Sequence, residues 1–337
     1  MDPLELHRDA LVIDSHNDSV VASVSSGSGL GGAPTRHAGG GTIAQLRGAL
    51  HGPPEGDRIQ LDLQRMRDGG IDAAFFAVCV TKAWNNHAAY ALDGFGILMA
   101  EMAEDDGFRI ARTAADLTQA KEDGAIAAIL ALEDSNGLER SLNILSALYA
   151  LGLRSVGITH NPVSWAAAGA HEPASGGLTS HGVALVHELN RLGILVDVSH
   201  LNDAGFWDVV AETDQPLIAS HSNCRALCSQ PRNLDDRQIE AVAATGGLVA
   251  ITFVPKFVSD TEPDLERLLD HVDHAIEVAG PEHVGLGSDF DGGGTVIPHA
   301  GEYPRLTAGL AARGHDEQVI RAVLGLNYLR VFRAVCG

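Results

Sequence analysis

The chain has 337 residues, of which 45% are apolar and 20% are charged, as in an ordinary folded protein. Its 23 Lys and Arg against 44 Asp and Glu give a net charge of −21, which argues against partners such as nucleic acid or an anionic membrane. A chain of this length buries a large core without disulfides, and α/β barrels of this size fold as one domain.

The N-terminus predicts a short helix rather than an export signal. Asp2 suits the N-cap, Pro3 the first helical position and Glu5 the third. The segment is acidic and lacks the basic and apolar regions of a signal peptide. The longest apolar runs of the chain have about ten residues, too few to cross a bilayer. We therefore expect a cytoplasmic protein whose cysteines stay reduced.

Eight short runs rich in Val, Ile, Leu and Ala alternate with segments of helical periodicity. The runs are Leu11–His16, Ile71–Val80, Ile126–Glu133, Ser155–His160, Leu195–His200, Pro216–His221, Gly246–Phe253 and His283–Phe290. Nearly continuous apolar runs indicate strands buried on both faces, as parallel strands covered by helices are.

The segments between the runs carry helix start and stop signals. Thr179–Leu192 has a Thr N-cap and a stop at Gly193, and Asp236–Ala244 and Asp264–Val278 show similar patterns. A strand followed by a helix, eight times over, predicts an α/β fold: a single (β/α)8 TIM-type barrel over residues 1–337.

One segment departs from this alternation. Ser25–Arg58, between the first two predicted strands, is rich in Gly, Pro, Thr and His and has weak periodicity. We expect a long irregular loop over the barrel mouth, which is either a lid or a passive insertion.

Ionisable side chains end most of the predicted strands. They are His16 and Asp18 at the first strand, Glu133 at the third, His160 at the fourth, His200 at the fifth, His221 at the sixth and Asp289 at the eighth. The C-terminal ends of barrel strands converge on one face, where active sites lie. We therefore expect these side chains to share one site.

Each of these residues has an ordinary structural alternative when it is taken alone. A lone strand-end histidine is more often a hydrogen-bonded structural residue, and Glu133 could cap a helix. The His-x-Asp pattern also recurs as His271-x-Asp273 in a predicted helix, where we expect a solvated face. In His16-x-Asp18 the two side chains share one face of a strand. The metal interpretation depends on the joint placement at several strands.

Imidazole and carboxylate ligands together suit a borderline divalent metal such as Zn²⁺. The candidates exceed the three protein ligands of one catalytic zinc, so we expect two ions. We divide the candidate ligands between the two ions: His16 and Asp18 hold the first, His200 and His221 hold the second, and Glu133 bridges them. Metals there activate a water and polarise a carbonyl.

Asp289 lies outside this division of ligands. It is free to act as the base that takes a proton from the water and later protonates a leaving amine. The fold expected from the sequence is therefore a barrel of the metal-dependent hydrolase type.

Several longer stretches match one family, in the family's order and across nearly the whole chain. They are Ile13-Asp14-Ser15-His16-Asn17-Asp18, Thr159-His160-Asn161, Gly177-Leu178-Thr179, Asp197-Val198-Ser199-His200, Ala219-Ser220-His221-Ser222-Asn223, Pro231-Arg232-Asn233-Leu234 and Gly285-Leu286-Gly287-Ser288-Asp289-Phe290-Asp291-Gly292. On these stretches the chain resembles the renal, or membrane, dipeptidase family of dinuclear zinc peptidases, within the amidohydrolase-like barrels.

The resemblance implies a role for each candidate ligand. His16, Asp18, Glu133, His200 and His221 match the family's metal ligands, with Glu133 as the bridge. Two Zn²⁺ per chain are therefore implied.

The resemblance also implies roles for three residues around the metals. Asp289 matches the catalytic acid/base, and His160 matches a histidine that steadies the oxyanion. Arg232 matches an arginine that pairs with the free carboxylate of the dipeptide, a role that suits a forked guanidinium. Without the resemblance, Arg232 would be taken for a surface loop residue.

The function that the resemblance implies is zinc-dependent hydrolysis of free dipeptides, L-Xaa-L-Xaa and also L-Xaa-D-Xaa. One alternative is a related amidohydrolase acting on N-acyl amino acids, lactams or lactones, because the same ligands serve any activated carbonyl. The other is a barrel that acts as a scaffold or binding protein without turnover, and the many charged strand ends argue against it. The family resemblance also suggests a homodimer.

Overall fold

The computed structural model describes residues 2–32, 41–43, 46, 59–80, 85–172 and 176–337. The strands within these residues are β1 (Ile13–Asn17), β2 (Ala73–Cys79), β3 (Phe108–Ile110), β4 (Ile126–Glu133), β5 (Leu153–Gly157), β6 (Leu195–Asp197), β7 (Ile218–Ala219), β8 (Leu248–Ile251) and β9 (Val284–Leu286).

Helices connect most of the strands. They are α1 (Pro3–Asp9), α2 (Ser19–Ser26), α3 (Leu63–Asp68), α4 (His87–Met102), α5 (Ala114–Glu122), α6 (Leu142–Leu151), α7 (Ser180–Leu192), α8 (Asp203–Glu212), α9 (Asp236–Ala244), α10 (Pro255–Val258), α11 (Leu265–Ala279), α12 (Pro304–Ala312), α13 (Glu317–Arg321) and α14 (Asn327–Cys336). A π-helical turn, Ala322–Leu326, joins the last two, and short 3-10 turns lie at Ser135–Leu138, Pro281–His283 and Ala300–Glu302.

The strands form a parallel barrel. Their order is β1-β2-β4-β5-β6-β7-β8-β9, and β3 pairs with β4 beside this path. The barrel closes where Asn17 bridges to Phe290, with the amide of Asp18 donating to Phe290 O and the amide of Asp289 donating to His16 O. This closure confirms the predicted (β/α)8 TIM-type fold.

Each predicted apolar run overlaps one observed strand, and most of the runs extend past the C-terminal end of that strand. β5 ends at Gly157 and β7 at Ala219, so His160 and His221 lie in the loops that follow. The short strand β3 was missed, because three residues are too few to show a pattern.

Successive residues of a strand pack on opposite sides of the sheet. Phe76 and Val78 of β2 belong to the cluster under the outer helices, while Phe75 packs inside the barrel against the rings of Tyr328 and Phe332 from α14. Burial on both faces is what the unbroken apolar runs predicted.

The predicted helix starts are close to those observed. Thr179 caps α7 by accepting from the amide of Gly182, and Asp264 caps α11. The cap of α9 is Asp235, one residue before the predicted start. Among the described helices, none combines the length and apolar character of a membrane span.

The structure differs from the sequence at one predicted helix face and describes only part of one predicted loop. The solvated face predicted for His271 is wrong: its ring is buried and bonded to Cys224 N and Val258 O. Of the predicted Ser25–Arg58 loop, residues 33–40, 44–45 and 47–58 lie outside the described residues, and α2 already contains Ser25.

Candidate metal centre

The structure brings the five predicted metal ligands together around one carboxylate. The Nε2 atoms of His16, His200 and His221 lie 3.6, 2.8 and 3.6 Å from Oε1 of Glu133. Oδ2 of Asp18 lies 3.9 Å from Nε2 of His16. The ligand atoms form two overlapping sets, each within 4.8 Å, and Glu133 belongs to both. A bridging role for Glu133 requires such sharing.

Backbone geometry at the ends of the strands directs these side chains inward. His16 lies within β1, and Glu133 is the last residue of β4. His200 follows β6 by three residues and adopts a φ of 70°, in the left-handed region. His221 follows β7 by two residues. Ligands from four strands therefore meet at one end of the barrel.

Hydrogen bonds on the far side of two imidazoles direct lone pairs into the site. Nδ1 of His200 lies 2.9 Å from Oδ1 of Asn161 and donates to it. Ser220 Oγ donates to Asp197 and accepts from Nδ1 of His221 at 2.7 Å. The two Nε2 atoms, 2.7 Å apart, therefore both carry lone pairs. Facing lone pairs repel unless a cation lies between them.

Two further metal-donor atoms lack a hydrogen-bond partner in the part of the chain that the structure describes. Nε2 of His16 and Oδ1 of Asp18 are buried without a hydrogen-bond partner among the described residues. Burial disfavours the imidazolium, but Glu133 and Asp18 outweigh it and raise the pKa of His16 to about 10. Burial, with Glu133 adding to it, raises the pKa of Asp18 well above its usual range. This uncompensated negative potential fits a bound divalent cation.

Asp289 faces the same site from the loop after β9. Burial is the main cause that raises its pKa to about 7, and Glu133 adds to it while His16 opposes it. Gly292 allows the close approach of two carboxylates, because a Cβ there would lie 2.0 Å from Asp18 Oδ2 and 2.2 Å from Asp289 Oδ1. A carboxyl group that titrates near neutrality is suited to take and return a proton.

His160 lies on the rim of the same site. Its Nε2 is 3.9 Å from Oε1 of Glu133, and its ring centre is 4.3 Å from that of His200. Burial lowers the pKa of His160, which keeps the imidazole neutral at neutral pH. A neutral ring N–H beside the two sets of candidate metal ligands is suited to donate a hydrogen bond to a developing oxyanion.

The structure corrects the surface-loop alternative for Arg232. Its side chain is buried, with Nη1 donating to Ser222 Oγ at 2.8 Å and Nη2 to His221 O at 2.9 Å. Its Nε has no hydrogen-bond partner, and no carboxylate pairs with the guanidinium, among the described residues. Burial lowers the pKa of Arg232 to about 10, so it stays charged at neutral pH. Such a group is available to an anionic ligand.

Sequence reasoning missed the residues that orient the ligands. Asn161, Asp197 and Ser220 lie within the matching stretches, but nothing in their spacing shows which histidine each one contacts. Cys79, the last residue of β2, was also missed, and its Sγ lies with ligand atoms of Glu133 and His160 in a set within 4.8 Å. Burial, with Glu133 adding to it, raises the pKa of the thiol well above its usual range.

Asp18, Glu133, His160, His200 and Asp289 line one cavity of about 720 Å³, whereas His16, His221 and Arg232 lie behind its described lining residues. Val21, Ala22 and Ser25 of α2 line one part of it, and Val254–Phe257 after β8 line another. The volume suits a small substrate rather than a protein chain. The fold and the donor set together define the class of metal-dependent hydrolases built on (β/α)8 barrels.

Comparison with known proteins assigns the family within this class. The sequence model of the membrane dipeptidase family, peptidase family M19, matches residues 3–336. The chain is 32% identical to dipeptidase verJ of Clonostachys rogersoniana over 293 residues, 81% of this chain and 75% of the relative. The chain belongs to the membrane dipeptidase family.

Two solved structures agree with this assignment. The dipeptidase AC, a metallopeptidase of family M19, is 31% identical with a TM-score of 0.84, covering 97% of this chain and 99% of that one. A metallopeptidase from Rhodobacter sphaeroides, solved with a phosphinate mimic of the dipeptide L-Ala-D-Ala, is 30% identical with a TM-score of 0.83, covering 97% and 100%.

Proposed function

We propose that this chain is a zinc-dependent dipeptidase that hydrolyses free dipeptides. The observation that carries the proposal is the convergence of two metal-donor sets on Glu133, in a cavity whose wall also carries Asp289. Membership of the membrane dipeptidase family supports the same reaction.

Two zinc ions are the proposed cofactors. His16 and Asp18 would hold one, His200 and His221 the other, and Glu133 would contact both. The unpartnered donor atoms and the facing lone pairs fit this assignment. Bound there, the ions would supply an activated water and polarise the scissile carbonyl.

Three residues of the chain act directly on the substrate in this proposal. Asp289 takes the proton of the attacking water and returns it to the leaving amine. His160 donates a hydrogen bond to the oxyanion of the tetrahedral intermediate. Arg232 pairs with the free carboxylate of the second residue. Recognition of a carboxylate one residue after the scissile bond selects dipeptides over longer peptides.

The stereochemistry of the second residue is part of the proposal. The Rhodobacter sphaeroides metallopeptidase was solved with a mimic of L-Ala-D-Ala. We infer that this chain accepts L-Xaa-D-Xaa as well as L-Xaa-L-Xaa.

A substrate panel on purified, Zn²⁺-supplemented protein tests the proposal. The panel compares L-L dipeptides, L-D dipeptides, a tripeptide and N-acetyl amino acids. We expect cleavage of the dipeptides alone. Cleavage of the acylated compounds alone would instead establish a deacylase, and no turnover of any compound would favour a binding protein.

Metal removal is the second test. We expect chelation to abolish hydrolysis and Zn²⁺ to restore it, with two ions bound per chain by elemental analysis, because every proposed chemical step depends on the donor sets. Unchanged turnover of the metal-free protein would contradict the proposal.

A further inference from the structure

One cationic side chain lines the cavity beside the metal centre. Lys256, in the short helix α10, is exposed and is the only Lys or Arg among the described residues that line the cavity. Within the described part of the chain, its ammonium forms no salt bridge with a carboxylate. A flexible, solvated ammonium in a substrate cavity is available to an anionic group of the substrate.

Lys256 shares an aromatic neighbour with the buried arginine of the site. Its Nζ lies 4.8 Å from the ring centre of Phe257, and Cζ of Arg232 lies 5.9 Å from the same centre. One cation is buried and the other is exposed, and both lie beside one ring. If Arg232 holds the free carboxylate as proposed, the second residue of the dipeptide would lie near Phe257, which lines the cavity next to Lys256.

The other charges of the cavity do not oppose an anionic side chain there. The described residues that line it include four carboxylates, Asp18, Glu133, Asp289 and Asp291. Asp291 accepts hydrogen bonds from Ser19 and from backbone amides. Asp18 and Glu133 are proposed metal ligands, and Asp289 is the proposed proton carrier beside them. Two divalent ions would balance the charge of all four.

We propose that Lys256 selects dipeptides whose second residue carries an acidic side chain, Asp or Glu. This inference rests on the proposed dipeptidase function and on Arg232 as the site of the free carboxylate. The attraction of an exposed ion pair predicts a preference of about two- to fivefold in kcat/KM for the acidic residue over its amide, and the preference weakens as salt is added.

Paired substrates test the inference. We would measure kcat/KM for Ala-Asp against Ala-Asn and for Ala-Glu against Ala-Gln, with each second residue in L and D form and with Ala-Ala as the reference. The proteins are the wild type, Lys256→Met, Lys256→Arg and Lys256→Glu. We expect the acid-to-amide ratio to fall to about one in Lys256→Met, to persist in Lys256→Arg and to invert in Lys256→Glu, mainly through KM.

Arg237→Met is the matched control. Arg237 places its guanidinium 5.6 Å from the Trp207 ring, a contact of the same kind, but it does not line the cavity. We expect this variant to keep the wild-type ratio.

Two outcomes would overturn the inference, and they differ in whether they also reject the proposed dipeptidase function. Hydrolysis of Ala-Ala without an acidic preference, or with one that survives Lys256→Met, leaves the dipeptidase function intact and rejects the role of Lys256. Failure to cleave any dipeptide rejects the function and the inference together.

Discussion

At the residue scale, the site is built on backbone conformations that L-amino acids rarely adopt. His200, Asp289 and Asp291 have φ values of 70°, 58° and 65°. The left-handed region costs a non-glycine residue about 1–2 kcal/mol, so surrounding contacts must hold it in place. Asp291 is held by Ser19 and by the amide of Gln60, and Nδ1 of His200 is held by Asn161. This strain directs His200 and Asp289 into the site.

Asp289→Asn tests the proton-transfer role. The amide has nearly the same shape but cannot take a proton, so we expect kcat to fall about 10²-fold or more while both metals stay bound. Steady-state kinetics combined with elemental analysis measures both effects. Loss of metal from this variant would show that Asp289 is chiefly a ligand.

Arg232→Lys tests the recognition of the free carboxylate. Lysine keeps the positive charge but cannot form the two parallel hydrogen bonds of a guanidinium. We therefore expect kcat/KM for free dipeptides to fall about 10- to 100-fold. Because Arg232 also donates to the backbone oxygen of His221, part of the loss is structural and applies to every substrate. The informative measurement is the ratio of free to C-terminally amidated dipeptide. An equal loss on both would refute the pairing.

At the scale of elements, the apolar runs predicted each strand of the barrel but not the residue at which its hydrogen bonding to the neighbouring strands ends. Hydrophobicity continues into the loops, because the residues after a strand are still buried: Ile158 and Val198 are fully buried beyond the ends of β5 and β6. The candidate ligands could be predicted because they lie near these ends. The depth of Arg232 was not predictable, because a loop sequence does not show which side chain folds under it.

The histidine on α11 shows the same limit. The sequence places His271 and Asp273 on a helix, but the residues that pack over it come from elsewhere in the chain. Nδ1 of His271 accepts from the amide of Cys224, and its Nε2 donates to Val258 O. Only the neutral imidazole can make both hydrogen bonds, because one ring nitrogen accepts while the other donates. The helix is thereby joined to the loop after β7 and to α10.

This arrangement predicts a pH-dependent stability. Burial lowers the pKa of His271 below 6.5, the value of an ordinary histidine and hence of the unfolded chain. Below about pH 6.5 the unfolded state binds more protons than the folded state. The free energy of unfolding therefore decreases as the pH is lowered through this range, by up to about 1.4 kcal/mol per pH unit. We expect His271→Gln to flatten this fall between pH 8 and 5.5.

Urea unfolding across this pH range measures the difference between wild type and variant. His187→Gln is the control, because His187 is exposed on α7 beside Glu212 and makes no buried contact. We expect the control to keep the slope of the wild type. The interpretation of His271 fails if both variants have the slope of the wild type.

At the scale of the whole molecule, the barrel closes between its first and last strands. Asp14 on β1 is fully buried, and its carboxylate accepts from the amide and hydroxyl of Ser288, at 2.7 and 2.8 Å, and from Tyr303 Oη at 2.7 Å. Asp14 and Ser288 are 274 positions apart in the chain, so no local pattern indicates this contact. His16 and Asp289 adjoin the same junction. Closing the barrel therefore also assembles the site.

Tyr303→Phe tests whether this junction stabilises the whole fold. Loss of one hydrogen bond to a buried carboxylate is expected to lower the free energy of unfolding by about 1–3 kcal/mol. Because Asp289 follows Ser288 directly, we also expect a fall in kcat/KM, although Tyr303 does not line the cavity.

Tyr149→Phe is the matched control, since Tyr149 is half-buried on α6 and its ring contact with Arg154 does not need the hydroxyl. Urea unfolding and dipeptide hydrolysis measure the two effects. Equal losses in both variants would show that the junction contributes nothing beyond an ordinary tyrosine hydroxyl.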